Sequence, residues 1–329
     1  MLSRLADSFY WMSRYIERAE NVSRFIDVNV NLMLDSSLSE DKEQWFPLVT
    51  TSGDEEDFKA RYEEATRENV IYFLFADKKN PNSIFSCLQK ARENARTMRE
   101  SISSEMWEQL NSFYLMVQSY MHEPLDLDNL YSLGRQIRMA SHQFVGVTDN
   151  TMSHGEAWNF IRLGRMFERA DKTARILDVK YFILLPKVED VGTTYDAILW
   201  TALLKSASAS EMYRKKYSHI QPDKVAEFLI LDREFPRSMR FCLAHAEESL
   251  RFITGTPYGT YANEAEQHLG RLRSELDYAN IREIIKSGLH EYLDQFESNL
   301  NNAGVALFAT FLAMQPIPGY PIIKRTEQS

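Results

Sequence analysis

The sequence predicts an all-α fold, a single large bundle of about ten helices with an internal duplication, and three observations predict it. Gly and Pro, the two residues that interrupt helices, number only 12 and 10 among 329 residues. The prolines fall at breakpoints (Pro47, Pro81, Pro124, Pro186, Pro222, Pro236, Pro257) and in the C-terminal tail, which leaves long uninterrupted segments between them. Within those segments apolar residues recur at spacings of three and four, and the alternating pattern of a half-buried strand is missing.

Taken in order, the first segment carries Met12, Tyr15, Ile16, Ala19, Val22, Ser23, Ile26, Val30 and Met33 on one side of a helix spanning 3–35. The short acidic stretch Gly53 to Asp57 suits a helix start, where carboxylates meet the positive end of the helix dipole. The same periodicity places helices at 84–101, 104–121, 127–147, 155–185, 194–217, 236–253, 262–276 and 281–314. Ser153 and Glu156 have the spacing of a capping box at the start of the fifth of these long helices. Pro236 suits the first helical position, with Asp232 and Glu234 just ahead of it. An anion site at that helix start, near Ser238, Arg237 and Arg240, is the less favoured reading beside it. The nearly apolar run Ala303 to Met314 is too short for a membrane span, which needs about 20 residues, and reads as a buried terminal helix. No linker divides the chain, so residues 1–314 form one helical domain, followed by a Pro-containing tail over 315–329.

Composition excludes several function classes. A hydrophobic content of 44% supplies a large core. The 38 Lys+Arg against 47 Asp+Glu give a net charge of −9, which lacks the basic surplus of a nucleic-acid binder. Cys87 and Cys242 are too few for a disulfide framework and suit buried small hydrophobes in a reducing compartment. Asp7 interrupts any secretory signal, and with no membrane span the expected location is the cytoplasm. None of the seven histidines has Glu three positions before it, so the carboxylate–histidine pairs of a di-iron bundle are missing and no metal or other cofactor is expected. Phosphate-binding glycine loops and the G-x-S-x-G nucleophile elbow are missing as well.

The strongest feature is a repeat. Arg14-Tyr-Ile-Glu17-Arg18-Ala19-Glu20-Asn-Val-Ser-Arg24-Phe-Ile-Asp27-Val28 matches Arg165-Met-Phe-Glu168-Arg169-Ala170-Asp171-Lys-Thr-Ala-Arg175-Ile-Leu-Asp178-Val179, 151 residues on. The identical positions are mostly charged, and the apolar ones are similar only in type. At about 100° per residue, Arg14, Glu17, Glu20, Asn21 and Arg24 occupy one arc with Arg18 at its border, and Arg165, Glu168, Asp171, Lys172 and Arg175 repeat it with Arg169. A looser partial copy, Ala91-Arg92-Glu93-Asn94-Ala95-Arg96, could add Arg92 and Arg96.

Two readings of these arcs stand side by side. In one they are solvated faces laced by i,i+4 pairs such as Glu20 with Arg24 and Asp171 with Arg175. In the other the two helices face each other near a pseudo-two-fold axis and line a seam whose arginines hold an anionic ligand. Arg18 and Arg169, bordering the apolar stripe, are then structural, and Arg14, Arg24, Arg165 and Arg175 are freer to bind.

The opening segment Ser3 to Asn21, the stretches Ala91 to Arg96 and Ser101 to Trp107, Gly164 to Asp171, Trp200 to Ala209 and Phe228 to Ser238 resemble the bacterial alpha-E family. The resemblance covers residues 1 to about 312. It implies an all-helical domain named for its Glu-Arg motif, here Glu17-Arg18 and Glu168-Arg169. It also implies genes set beside, or fused to, circularly permuted ATP-grasp proteins and transglutaminase-like peptidases. From it we expect an accessory or binding protein of an amide- or peptide-ligation system. The alternatives are an enzyme of that pathway with Glu17 or Glu168 as acid-base residue, and a purely structural scaffold. The family offers no established catalytic residues to carry over.

Overall fold

The computed structural model describes residues 1–35, 45–123, 126–183 and 194–313. These form fifteen α-helices and no strands, as the sequence predicts in class. Among them are α1 (Ser3–Asp35), α2 (Phe46–Ser52), α3 (Glu55–Lys59), α4 (Arg67–Phe75), α5 (Ile84–Thr97), α6 (Ser104–Ser119), α7 (Leu127–Thr151) and α8 (Glu156–Ile183). The second half holds α9 (Thr194–Ser206), α10 (Ser210–Lys216), α11 (Pro222–Leu231), α12 (Met239–Thr254), α13 (Glu264–Tyr278), α14 (Ile281–Ser287) and α15 (Leu289–Leu307). The tail over 315–329 lies outside the described residues.

Helix starts follow local chemistry. Ser83, Ser103, Asp126, Ser238, Asn263 and Asn280 each accept a hydrogen bond from a backbone N–H of the following turn, satisfying donors that a helix leaves free. Two expected starts differ. The helix after Pro236 begins at Met239 with Ser238 as its cap, so Pro236 lies before the helix. Glu156 does not close a box with Ser153; its carboxylate accepts from the Met1 amino group. Two long predicted helices are broken, one at Ser208, which adopts a positive φ of 52°, and one at Gly288, with φ of 103°. The last predicted segment ends in a π-helical turn over Phe308–Leu312, with Val305 and Phe308 exposed. Periodicity missed α2, α4 and α11. Helix α4 shows why: Val70, Ile71, Phe73, Leu74 and Phe75 are all buried, so no polar face marks its period.

Helix α1 runs through the middle of the bundle, against α5, α7 and α8, while α8 packs on α1, α12 and α15. One continuous apolar core extends from Ala6 to Leu312. At the α1–α8 crossing the backbones come so close that a Cβ on Gly164 would lie 2.3 Å from the Tyr10 carbonyl oxygen and 2.5 Å from Ser13 Oγ. Gly164 is the repeat partner of Ser13, so the crossing falls where the two copies meet. That contact brings the two charged arcs face to face.

The duplication extends beyond the two Glu-Arg helices. Phe73-Leu74 through Asp77, Pro81, Ser83, Cys87 and Leu88 recur 155 residues on as Phe228-Leu229, Asp232, Pro236, Ser238, Cys242 and Leu243. The structural details repeat with them. Arg61 donates to Asp77 at 2.5 Å and Lys216 to Asp232 at 2.6 Å, and each Asp braces the loop leading into the capped helix. Helices α4–α5 flank α1 in the way that α11–α12 flank α8.

Candidate functional site

The two Glu-Arg pairs are exchanged across the crossing. Arg18 donates from Nε to Glu168 Oε1 at 2.6 Å and from Nη2 to Oε2 at 2.9 Å, while Arg169 donates from Nε and Nη2 to the two oxygens of Glu17, both at 2.9 Å. Each glutamate thus takes a bidentate fork from the arginine of the other copy, the strongest geometry available to this pair. The two glutamates are 2% and 0% exposed, so they share a buried seam.

Each carboxylate has a second guanidinium. Arg14 Nε reaches Glu168 Oε2 at 2.8 Å. Its repeat partner Arg165 makes no such bond, and the place is taken by Arg237, whose Nη1 donates to Glu17 Oε1 and to Asn21 Oδ1 and whose Nη2 donates to Glu20 Oε2. At the position equivalent to Arg237 stands Asn82, which accepts from Arg18 and donates to Asp54. Burial alone would push both glutamates up. Arg169 and Arg237 nevertheless hold Glu17 down at about 2, and Arg18 and Arg14 hold Glu168 far below the carboxylate range.

The remaining arc residues divide. Lys172 donates to the Ser52 carbonyl oxygen and pairs with Asp171 at 3.2 Å. Arg175 pairs with Asp171 at 3.1 Å and with Glu297, from α15, at 3.1 Å. Burial pushes Glu297 up to about 7, against the pull of Arg175. On the other copy Arg24 pairs with Glu20, whose second oxygen already serves Arg237. Arg24 Nε and Arg165 Nε find no hydrogen-bond partner among the described residues. Arg14 and Arg175, expected to be free, are therefore engaged, and Arg24 and Arg165 are the arginines with donors to spare.

Arg92 and Arg96 do not join the seam. Both lie on α5, where Arg92 donates to Asn111 of α6 and stacks over Trp107 and Tyr114, and Arg96 pairs with Glu93 at the exposed surface. The counterpart of that stretch at the 155-residue offset is Ala246 to Arg251 of α12, not the Glu-Arg helices. Nor does an anion site form at Ser238, which is fully buried between the Asp232 carbonyl and the Phe241 amide, while Arg237 turns inward and Arg240 pairs with Asp277. Cys87 and Cys242 are buried, and burial pushes both thiols up to about 12. Among the described residues no group of three or more His, Cys, Asp and Glu converges as metal ligands would, and no helix is long and apolar enough to cross a membrane.

Sequence reasoning placed Arg237 only at the less favoured anion site and missed Asn82 and Glu297. The signal for Arg237 and Asn82 was available in the second repeat, where Asp77-x-x-x-Pro81-Asn82-Ser83 aligns with Asp232-x-x-x-Pro236-Arg237-Ser238. Nothing in the spacing of Glu297 marks it.

Comparison with known proteins agrees with this geometry. The model of the Alpha-E family, described as a predicted alpha-helical domain with a conserved ER motif, matches residues 1–312, and the chain belongs to that family. The exchanged forks give the Glu-Arg motif a physical role: each half supplies the acid for the other half's base. Similar curated proteins are an uncharacterized protein of Mycobacterium bovis and two of Mycobacterium tuberculosis, each 21% identical over 96% of this chain. This chain spans 38% of the length of those relatives. No solved structure matches it.

Proposed function

We propose that this Alpha-E chain is a helical accessory and binding module of an ATP-grasp-centred amide- or peptide-ligation system, and that its Glu-Arg seam locks the two halves of the module together. The single observation that carries the non-catalytic part is the saturation of Glu17 and Glu168. Each is buried, takes two guanidiniums and is held low, whereas a general base needs access to a substrate proton and a pKa near the working pH. This supports the binding reading over an enzyme that uses either glutamate as its acid-base residue.

The ligation setting rests on the family resemblance, with a circularly permuted ATP-grasp protein and a transglutaminase-like peptidase as the proposed partners and the cytoplasm as the proposed location. The mycobacterial relatives are consistent with it, since the matched region takes up 38% of a longer chain and so occurs joined to further sequence. The test is co-expression with the neighbouring ATP-grasp protein. A complex that survives gel filtration, with neither ATP nor peptide hydrolysed by this chain alone, is expected. Amide formation from ATP and amino acids by the isolated chain would overturn the accessory role, and an inert chain that binds no such partner would leave only a structural lock.

A further inference from the structure

Arg24 is, with Arg165, one of the two seam arginines whose Nε has no hydrogen-bond partner among the described residues, and it lines a cleft. Only 8% exposed, it shares Glu20 with Arg237, keeps its Nε without a hydrogen-bond partner among the described residues, and lines a cleft of about 900 Å³ bounded by α1, α7, α9 and the start of α10. That volume is in the range of small-molecule and short-peptide sites. Two further cations line it, Arg138 of α7 and Lys205 of α9. Helix α7 approaches α1 closely at Gly134, where an added Cβ would meet Asp27 and Ser23 at 3.6 Å, and one turn later Arg138 pairs with Asp27 at 2.6 Å. The two acids of the lining are that Asp27 and the exposed Glu211, so the lining carries three cations and two acids. Behind it, Arg237 and Arg169 already claim Glu17. Burial, then Arg237 and Arg138, push the Arg24 guanidinium down, the direction expected where positive charge exceeds negative. His142, one turn beyond Arg138, is pushed down by burial and next by Arg24 and Arg237, in the same sense.

We propose that this cleft binds the carboxylate of a short peptide, with Arg24 as the buried anchor and Lys205 at the entrance. Glu20 holds Arg24 Nη2, so a ligand carboxylate meets the rest of the guanidinium through a charge-assisted hydrogen bond and not through that edge. Thr201, Ser208 and Ser210 line the cleft beside Val28, Leu32 and Ile198, a mixture suited to a peptide backbone with aliphatic side chains. Ser208 sits there in the left-handed region, φ 52°, at the break between α9 and α10. The segment Trp200 to Ala209, part of the resemblance to the family, thus forms one wall and the first Glu-Arg helix another. This inference rests on the binding-module reading and names its ligand class.

The test is calorimetric titration of the full chain, without partner, using N-acetyl-triglycine, its C-terminal amide and inorganic phosphate as probes. The expected result is binding of the free acid with the amide at least about tenfold weaker, the factor for a lost charge-assisted hydrogen bond. Arg24→Met should abolish binding. Because Arg24 is buried and its loss also bears on folding, Lys205→Glu, a change at an exposed position, is the second arm and should weaken binding several-fold while leaving the melting temperature in place. Equal binding of acid and amide, binding untouched by Lys205→Glu in a folded protein, no binding of the acid, or binding of phosphate alone would each overturn the proposal. The outcome is separate from co-elution with an ATP-grasp protein, so this site and the proposed partnership can fail independently.

Discussion

The two sides of the seam are built from the same repeat and differ in how they balance charge. Around Glu168, three carboxylates (Glu168, Asp171 and Glu297) meet Arg14, Arg18, Lys172 and Arg175, and Lys172 adds a backbone carbonyl. Around Glu17, four guanidiniums (Arg24, Arg165, Arg169 and Arg237) share Glu17 and Glu20, with Asp149 acting on Arg165 through space. Glu297 from α15 brings the Glu168 side to three carboxylates for four cations, against two for four around Glu17, where no such acid is added. Duplication therefore preserved the exchanged forks, and the halves diverged in the residues around them. Function is best sought where the copies stopped matching.

This comparison predicts a ranking. The largest effects come from removing the shared acids. Glu17→Gln and Glu168→Gln should each cost about 3 to 5 kcal/mol, because each leaves buried guanidiniums uncompensated. The Glu17 variant should be the worse of the two, since cations exceed acids by more on the Glu17 side; urea denaturation of both variants measures the difference, and the opposite order would break the comparison. Arg18→Ala and Arg169→Ala should follow at about 3 kcal/mol, each leaving its glutamate one remaining guanidinium. Unchanged stability in both would remove the structural role of the Glu-Arg motif.

Next comes Gly164→Ala. The added methyl has to force α1 and α8 apart at the Tyr10 carbonyl, and about 1 to 3 kcal/mol is expected, measured by thermal melting. Acid should act on both sides together. Glu17 falls from an ordinary 4.5 to about 2 on folding, and Glu168 is displaced in the same direction. A carboxylate lowered on folding stabilises fully above its unfolded value, so this stabilisation is present above about pH 4.5 and is lost as pH falls toward 2. Melting temperatures between pH 7 and pH 3 should drop steeply for the native chain and less for the Gln variants. The smallest effect belongs to Arg96→Ala, at an exposed position on α5, within about 0.5 kcal/mol.

Much of this was legible in the sequence. A helix over 3–35 followed from the spacing of Met12, Ile16, Ala19, Val22 and Ile26, and the observed α1 has those bounds. The seam was legible because Glu17-Arg18 and Glu168-Arg169 matched where the apolar positions around them drifted. Arg237 is marked only by the second repeat, where it stands opposite Asn82, because helical periodicity does not connect it to Glu17 across 220 residues of sequence. The breaks at Ser208 and Gly288 were hidden because the apolar pattern continues through each, and only backbone conformation distinguishes a kinked segment from a straight one. Arg92 and Arg96 misled because composition alone matched them to the motif, while the face on which α5 meets α6 decides where they point.

The account stands most directly on the exchange of Glu-Arg pairs between the halves, and a double-mutant cycle on Arg18 and Glu168 measures it. Arg18→Met, Glu168→Gln and the double variant are compared by urea denaturation. The exchanged bidentate fork predicts a coupling of at least about 2 kcal/mol, with the double variant more stable than the sum of the single losses implies. Coupling below about 0.5 kcal/mol, the level of independent sites, would contradict it.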